Sequence, residues 1–202
     1  MYNQEYFTTL YTNNYDSLYN FLCKNIFNIF NSEYQIIEFG CGNGGFINYF
    51  EKNYFKLSNI IQTDIFHQNN ISSNRFKLKE IDGNCEDLPK ADLIIAFDVI
   101  EHVLNQGIMF KNIFNLLKPK GTFIFTTPNS DSLKKFIYSI FNKTWCGYAD
   151  KTHIILYDKV ILKRNCQRYF SKTKIIGFTQ INKIFFKHNI LNDYFLVICE
   201  KE

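Results

Sequence analysis

Gln35-Ile-Ile-Glu-Phe-Gly-Cys-Gly-Asn-Gly-Gly-Phe46 is an apolar run that ends in an acid and passes into a loop dominated by glycine. Ile36, Ile37 and Phe39 favour a buried strand. Gly40, Gly42, Gly44 and Gly45 remove β-carbons where a backbone either approaches a ligand closely or takes up positive φ. The segment over 46–52 can begin a helix whose N-terminal amides face the same spot. The stretch therefore predicts a nucleotide-like cofactor held at the carboxyl end of a first β-strand.

Gly40-x-Gly42-x-x-Gly45 also satisfies the dinucleotide fingerprint. Glu38 argues the other way. A carboxylate two residues before the first glycine is poorly placed beside a pyrophosphate and well placed to receive the ammonium of an amino-acid-like ligand. A chain of 202 residues also leaves no room for the separate substrate domain that most dinucleotide enzymes carry. The loop favours S-adenosylmethionine, with an NAD(P)-dependent oxidoreductase as the alternative.

That length predicts one domain over 1–202, with a core of real size. Within it, an N-terminal helical segment is expected over about 1–33 and a substrate-side insertion over about 130–157. Aromatic residues are abundant, with 22 Phe and 13 Tyr, as an AT-rich genome would produce. The net charge of +4 is spread without a run of five or more positive residues, so a nucleic-acid partner is not expected. Six cysteines show neither C-x-x-C pairing nor finger spacing, and free thiols in apolar contexts suit a reducing cytoplasm. The opening Met1-Tyr-Asn-Gln-Glu has no basic or apolar region of a signal peptide. No uncharged apolar run approaches membrane-spanning length, and the oligomeric state stays open.

Helical spacing of Leu18, Phe21, Leu22, Ile26, Ile29 and Phe30 predicts a helix over about 16–30. Strands are expected over 35–39, 59–64, 76–81, 91–97 and 122–127, and later over about 174–179 and 194–199. Helices are expected over 110–117, 132–142 and 158–170. The alternation implies a parallel sheet covered on both faces. The last two strands are joined too briefly for a crossover helix, so they should be antiparallel.

Three acidic or polar clusters fall at strand ends. Asp64, with Ile65 beside it, follows the second strand, where an acid can accept both ribose hydroxyls. Asn84 and the amide of Cys85 follow the third and can meet the amino edge and a ring nitrogen of an adenine. After the fourth, Phe97-Asp98-Val99-Ile100-Glu101-His102-Val103 puts Asp98, Glu101 and His102 on one side of a short turn. With His153 these form a candidate divalent-metal site of the O/N type, Mg2+ for example.

Taken in order, Glu38-Phe-Gly-Cys-Gly-Asn-Gly-Gly45, Asp64, Asn84-Cys-Glu-Asp-Leu-Pro89, Asp92 to Val103, Leu116-Leu-Lys-Pro-Lys-Gly121 and Thr126-Thr-Pro-Asn129 resemble class I S-adenosylmethionine-dependent methyltransferases. The resemblance is nearest to the branch with ubiquinone-biosynthesis O-methyltransferases and bacterial small-molecule and sugar methyltransferases. It implies an α/β Rossmann-like three-layer sandwich, with a seven-stranded, mostly parallel sheet and an antiparallel last strand. It assigns Glu38, Gly40 and Gly42 to the methionine end of the cofactor, Asp64 to the ribose, Asn84 and Cys85 to the adenine, and the backbone at Phe97 to the amino group, with Cys41 and Ile65 as further cofactor-binding residues. Asn84 stands where Asp is usual. Asp98 stands where metal-dependent relatives, small-RNA 2′-O-methyltransferases among them, have Glu.

The implied reaction is methyl transfer to a small-molecule hydroxyl, leaving S-adenosylhomocysteine. His153 is then the base, or His102 and His153 with Glu101 hold an activating metal. Trp145, Tyr148 and Tyr157 are candidates for lining the acceptor pocket. An RNA 2′-O-methyltransferase and a non-catalytic cofactor-binding module are the other readings.

Overall fold

The strands whose sequences lack alternation are the ones covered on both faces. In the computed structural model, which describes residues 16–66, 71–181, 184–187 and 192–202, β1 (Gln35–Phe39), β4 (Ala91–Phe97) and the second half of β5 (Leu117–Pro128) are largely buried. Residues 1–15, where the N-terminal helical segment was expected to begin, lie outside the described residues. Along β4, Leu93 and Ile95 pack on one face with Ile36 and Ile124, while Ile94 and Ala96 pack on the other with Ile37, Phe123 and Phe125. Each face then needs its own helices.

The first face is covered by α1 (Asp16–Ile26) and α2 (Gly45–Asn53), through Leu22, Ile26, Phe46, Ile47 and Phe50. The second is covered by α3 (Gln106–Leu116) and α6 (Lys159–Gln167), through Met109, Phe110, Ile113, Leu162 and Cys166. Between these layers lie β2 (Asn59–Asp64), β3 (Phe76–Leu78), β6 (Lys172–Ile181), β7 (Ile184–Lys187) and β8 (Tyr194–Glu200) as well. Two further helices, α4 (Leu133–Ile140) and α5 (Cys146–Ala149), occupy the segment after β5. Among the described residues, no helix is long and apolar enough to cross a membrane.

The sheet order is β3-β2-β1-β4-β5-β8-β6-β7. Strands β3, β2, β1, β4 and β5 are mutually parallel. β8 inserts antiparallel between β5 and β6. This is the expected mostly parallel seven-stranded sheet with its antiparallel last strand, and the short β7 pairs with β6 to extend its edge. The order reverses direction between β1 and β4, and in open α/β sheets a ligand sits at the carboxyl ends of the strands at that point.

Candidate functional site

Four strand ends meet at the reversal. β1 delivers Glu38 and the glycine loop, β2 delivers Asp64, β4 delivers the turn from Asp98 to His102, and β5 delivers Thr126 and Thr127. The glycine loop is fastened to β2: Cys41 N donates to Thr63 O at 2.9 Å, and Gly42 N donates to Asp64 Oδ2 at 2.8 Å. Asp64 also accepts from Phe66 N at 3.2 Å, so the acid expected at the ribose also holds the loop. Burial raises its carboxyl, and the amides of Gly42, Phe66 and Ile65 pull it back down. Gly40 has φ +63, and a β-carbon there would lie 2.3 Å from Val99 Cγ2. Its missing side chain therefore admits the turn after β4.

Glu38 is buried beside β2, where Gln62 Nε2 donates to Oε2 at 2.8 Å. Burial pushes its carboxyl up to about 8. Ile65 is exposed next to Asp64. At the third position, Asn84 is exposed, and its Oδ1 accepts from Glu86 N at 2.9 Å, which leaves a second lone pair; Cys85 beneath it is buried. Phe97 packs edge-on against Phe46 at 4.7 Å, tying the end of β4 to the start of α2.

The turn after β4 carries the densest chemistry. Glu101 is completely buried, and among the described residues its carboxylate oxygens and the Thr127 hydroxyl beside them make no hydrogen bond of full geometry. Burial raises the Glu101 carboxyl well above its ordinary range, and the Asp98 charge adds to this. Glu101, His102 and His153 each place one ligand atom within 4.8 Å of the others. His153 Nε2 lies 4.0 Å from Glu101 Oε1, too far for a hydrogen bond. Chain segments distant in sequence are joined here by backbone: Ile154 N and Ile155 N both donate to Glu101 O, at 2.8 and 3.1 Å.

The ring orientations are also set. His153 Nδ1 is 2.8 Å from Gly147 O, and a carbonyl only accepts, so Nδ1 carries the proton and Nε2 the lone pair. His102 Nδ1 is 3.0 Å from Thr152 Oγ1, and burial lowers its pKa, with the nearby His153 adding to the shift. Gln106 donates to Ile100 O and Val103 O at 2.8 Å each, and Tyr157 hydrogen-bonds the same Gln106, so the turn is gripped from α3.

Asp98 does not join this group. Its φ is +52, and its carboxylate accepts from Thr126 Oγ1 at 2.7 Å while its own N–H donates back to that hydroxyl at 2.9 Å. The fourth metal ligand expected from sequence is thus committed to β5. Two of the three acceptor-lining candidates are placed differently too. Trp145 is buried with its indole N–H on Asp193, and Tyr157 is buried on Gln106; Tyr148 is exposed. Asp193 also accepts from Ser132, Lys134 and Thr179, so it pins the segment after β5 to the sheet. Sequence reading missed Gly147, Thr152, Gln106, Asp193 and Thr126. Only Thr126 lies in a stretch the sequence marks, Thr126-Thr-Pro-Asn129, and there its bond to Asp98 depends on strand pairing; the others act through contacts that no motif encodes.

A family model described as a methyltransferase domain matches residues 12–169, most of the chain. A glycine/sarcosine/dimethylglycine N-methyltransferase of Actinopolyspora halophila is 31% identical over 116 residues, covering 51% of this chain and 20% of that protein. The chain thus spans about a fifth of that relative's length. Similar folds occur in an S-adenosylmethionine-dependent methyltransferase of Thermotoga maritima (TM-score 0.65, 12% identity, 93% of this chain and 91% of that one). Another, from Archaeoglobus fulgidus, gives a TM-score of 0.64 at 17% identity, covering 92% and 94% of the two chains. With the glycine loop, Asp64 and the reversal at β1 and β4 arranged as described, the chain shares the fold of those solved methyltransferases and belongs to the methyltransferase-domain family.

Proposed function

We propose that the domain transfers the sulfonium methyl of S-adenosylmethionine to a hydroxyl of a small molecule, with Glu101, His102 and His153 activating that hydroxyl. Glu101 carries this reading: a fully buried carboxylate with no well-formed hydrogen bond among the described residues beyond the adjacent Thr127 hydroxyl, set against two imidazoles. Native folds rarely leave such a group unsatisfied unless something outside the chain satisfies it. A neutral amine brings its own lone pair, whereas a hydroxyl must lose or share its proton as it attacks. The relative from Actinopolyspora is named for amine acceptors, which supports a small molecule; the cluster favours oxygen.

The three residues fit a divalent cation, because the buried carboxylate and one ring nitrogen from each imidazole are the ligands one requires. Two imidazoles and one carboxylate suit a transition-metal dication better than the Mg2+ expected from sequence. Such an ion lowers the pKa of a hydroxyl bound to it. The chain's own residues do the rest. The glycine loop and Asp64 hold the donor at the ends of β1 and β2, and the turn after β4 holds the acceptor. In-line attack forms the O–C bond as the C–S bond breaks; sulfur keeps the electron pair as a thioether, and the hydroxyl proton passes to the His153 Nε2 lone pair. Since the sulfonium is already activated, alignment supplies most of the acceleration.

His153→Ala should lower kcat by about a hundredfold or more, while calorimetric affinity for S-adenosylhomocysteine stays near wild type. Near-normal turnover in that variant removes His153 from the reaction. Chelation followed by Mn2+ add-back separates its two roles: loss and recovery of turnover marks a ligand, and no change marks a base. The acceptor screen spans sugars, quinols, phenols, amines and RNA. Methylation of amines alone would overturn the hydroxyl assignment.

A further inference from the structure

We propose that Trp145, held by Asp193, is a positioning residue for His153: it fixes the Gly147 carbonyl, and that carbonyl fixes the ring. The inference rests on the reading that His153 works through Nε2, and it extends that reading to residues behind the ring. Both ring nitrogens of His153 are placed. Nδ1 is 2.8 Å from Gly147 O, and Nε2 is the atom turned to Glu101, 4.0 Å from Oε1. The Nε2 lone pair therefore faces the cluster only while the Gly147 carbonyl keeps its direction.

The helix α5 cannot hold that carbonyl by itself. It has four residues, Cys146–Ala149, and isolated helices shorter than about 12 residues are marginal in water. Gly147 O also lies in its last turn, where carbonyls have no acceptor role left within the helix. The His153 ring satisfies it instead. Its direction must then come from packing, and Trp145 supplies this from two sides. The indole lies so close over Gly147 that a β-carbon there would come within 2.0 Å of the ring. The Trp145 carbonyl accepts from Tyr148 N at 2.9 Å and from Ala149 N at 3.1 Å, which closes the turn around the same glycine.

The indole is fixed in turn. Trp145 is buried, and its N–H donates to Asp193 Oδ1 at 3.3 Å. Asp193 is itself buried immediately before β8. It also accepts from Ser132 Oγ at 3.1 Å, from Lys134 Nζ at 2.7 Å and from Thr179 Oγ1 of β6 at 2.6 Å. The path thus runs from the sheet through Asp193, Trp145 and Gly147 to His153. A tryptophan that only filled a core would need no glycine two residues later and no imidazole on that glycine's carbonyl.

The test uses the full chain without cofactor, in buffer alkaline enough to keep the imidazoles neutral. Long-range 1H–15N correlation spectra report which ring nitrogen carries the proton, and His153→Ala identifies the His153 signals. Wild type should show His153 as Nδ1–H alone. Trp145→Ala removes the wall over Gly147 and Gly147→Ala forces it aside, so each should lose that single state and show both tautomers. Trp145→Phe keeps a ring but gives Asp193 no donor, and it should show both tautomers as well. Ile26→Ala, a fully buried truncation on α1, lowers Tm without touching this path and should leave His153 as Nδ1–H.

A wild-type Nε2–H tautomer overturns the proposal. So does a folded Trp145→Ala or Gly147→Ala chain that keeps Nδ1–H alone, and so does an Ile26→Ala chain that loses it. Retention in Trp145→Phe would strike Asp193 from the path. Where Trp145→Ala does not fold, Gly147→Ala and wild type still decide. The spectra need no acceptor, so their outcome separates from that of the function proposed above. Expected spectra with methylation of amines alone would keep the role of Trp145 and remove the hydroxyl reading.

Discussion

Glu38 and Gln62 stand opposite each other in the parallel register of β1 and β2, and the amide of one donates to the carboxylate of the other. Burial pushes the Glu38 carboxyl from 4.5 up to about 8, against the pull of Gln62. The folded chain thus holds the Glu38 proton more tightly than the unfolded chain does. Its contribution to stability is complete below about 4.5 and is lost as pH rises toward and through about 8, a change on the order of a few kcal/mol. Replacing the carboxyl by an amide keeps a partner for Gln62 and removes the titration. Cofactor-free Glu38→Gln should therefore melt several degrees above wild type in mildly alkaline buffer and close to it at about pH 5. An equal difference at both pH values would refute this account of Glu38. The expectation that Glu38 meets an ammonium came from its place before the loop. Its partnership with Gln62 could not, because it depends on register between two strands.

At the scale of elements, periodicity located most of the fold, and β1, β2 and β4 run over the ranges expected. The departures have local causes. α3 begins at Gln106, ahead of the apolar run, because Asn105 Oδ1 accepts from Ile108 N at 3.2 Å and caps it. β5 begins at Leu117 and includes the Lys118-Pro-Lys-Gly121 stretch that reads as a turn, with a register shift between Ala91 and Leu93 opposite it. The turn after β4 was legible as a cluster of ligand types, while its grip by Gln106 and Tyr157 was not. Its fit against the glycine loop gives a test. Gly40→Ala brings a β-carbon against Val99 and also strains a positive φ. Val99→Ala removes the clash but not the strain, which costs about 1–2 kcal/mol. In a double-mutant cycle, Val99→Ala should recover more than about 1 kcal/mol of the Gly40→Ala loss in urea unfolding. Strict additivity would mean that Gly40 is required by φ alone.

For the whole molecule, the decisive feature is the reversal of strand order between β1 and β4. The glycine loop, Asp64 and the turn after β4 come from different βα units, and they meet because all their strands point the same way. A donor bound there ties β1, β2 and β4 together, so it stabilises the whole fold and not one loop. A ligand present at about 100 times its Kd adds about 2.7 kcal/mol. For a domain of this length that corresponds to a rise in Tm of about 5–10 °C. S-adenosylhomocysteine should produce it, and NAD or NADP at equal concentration should not. The reason is the buried Glu38 at the end of β1, which suits an ammonium and repels a pyrophosphate once ionised. Asp64→Ala should abolish most of the rise while leaving the cofactor-free chain folded, since the loss of one acceptor for Gly42 N and Phe66 N costs only about 1–3 kcal/mol. A shift with NAD as large as that with S-adenosylhomocysteine would return the glycine loop to the dinucleotide class. No shift with either would leave the loop as a structural turn, closed by Asp64 and packed on Val99.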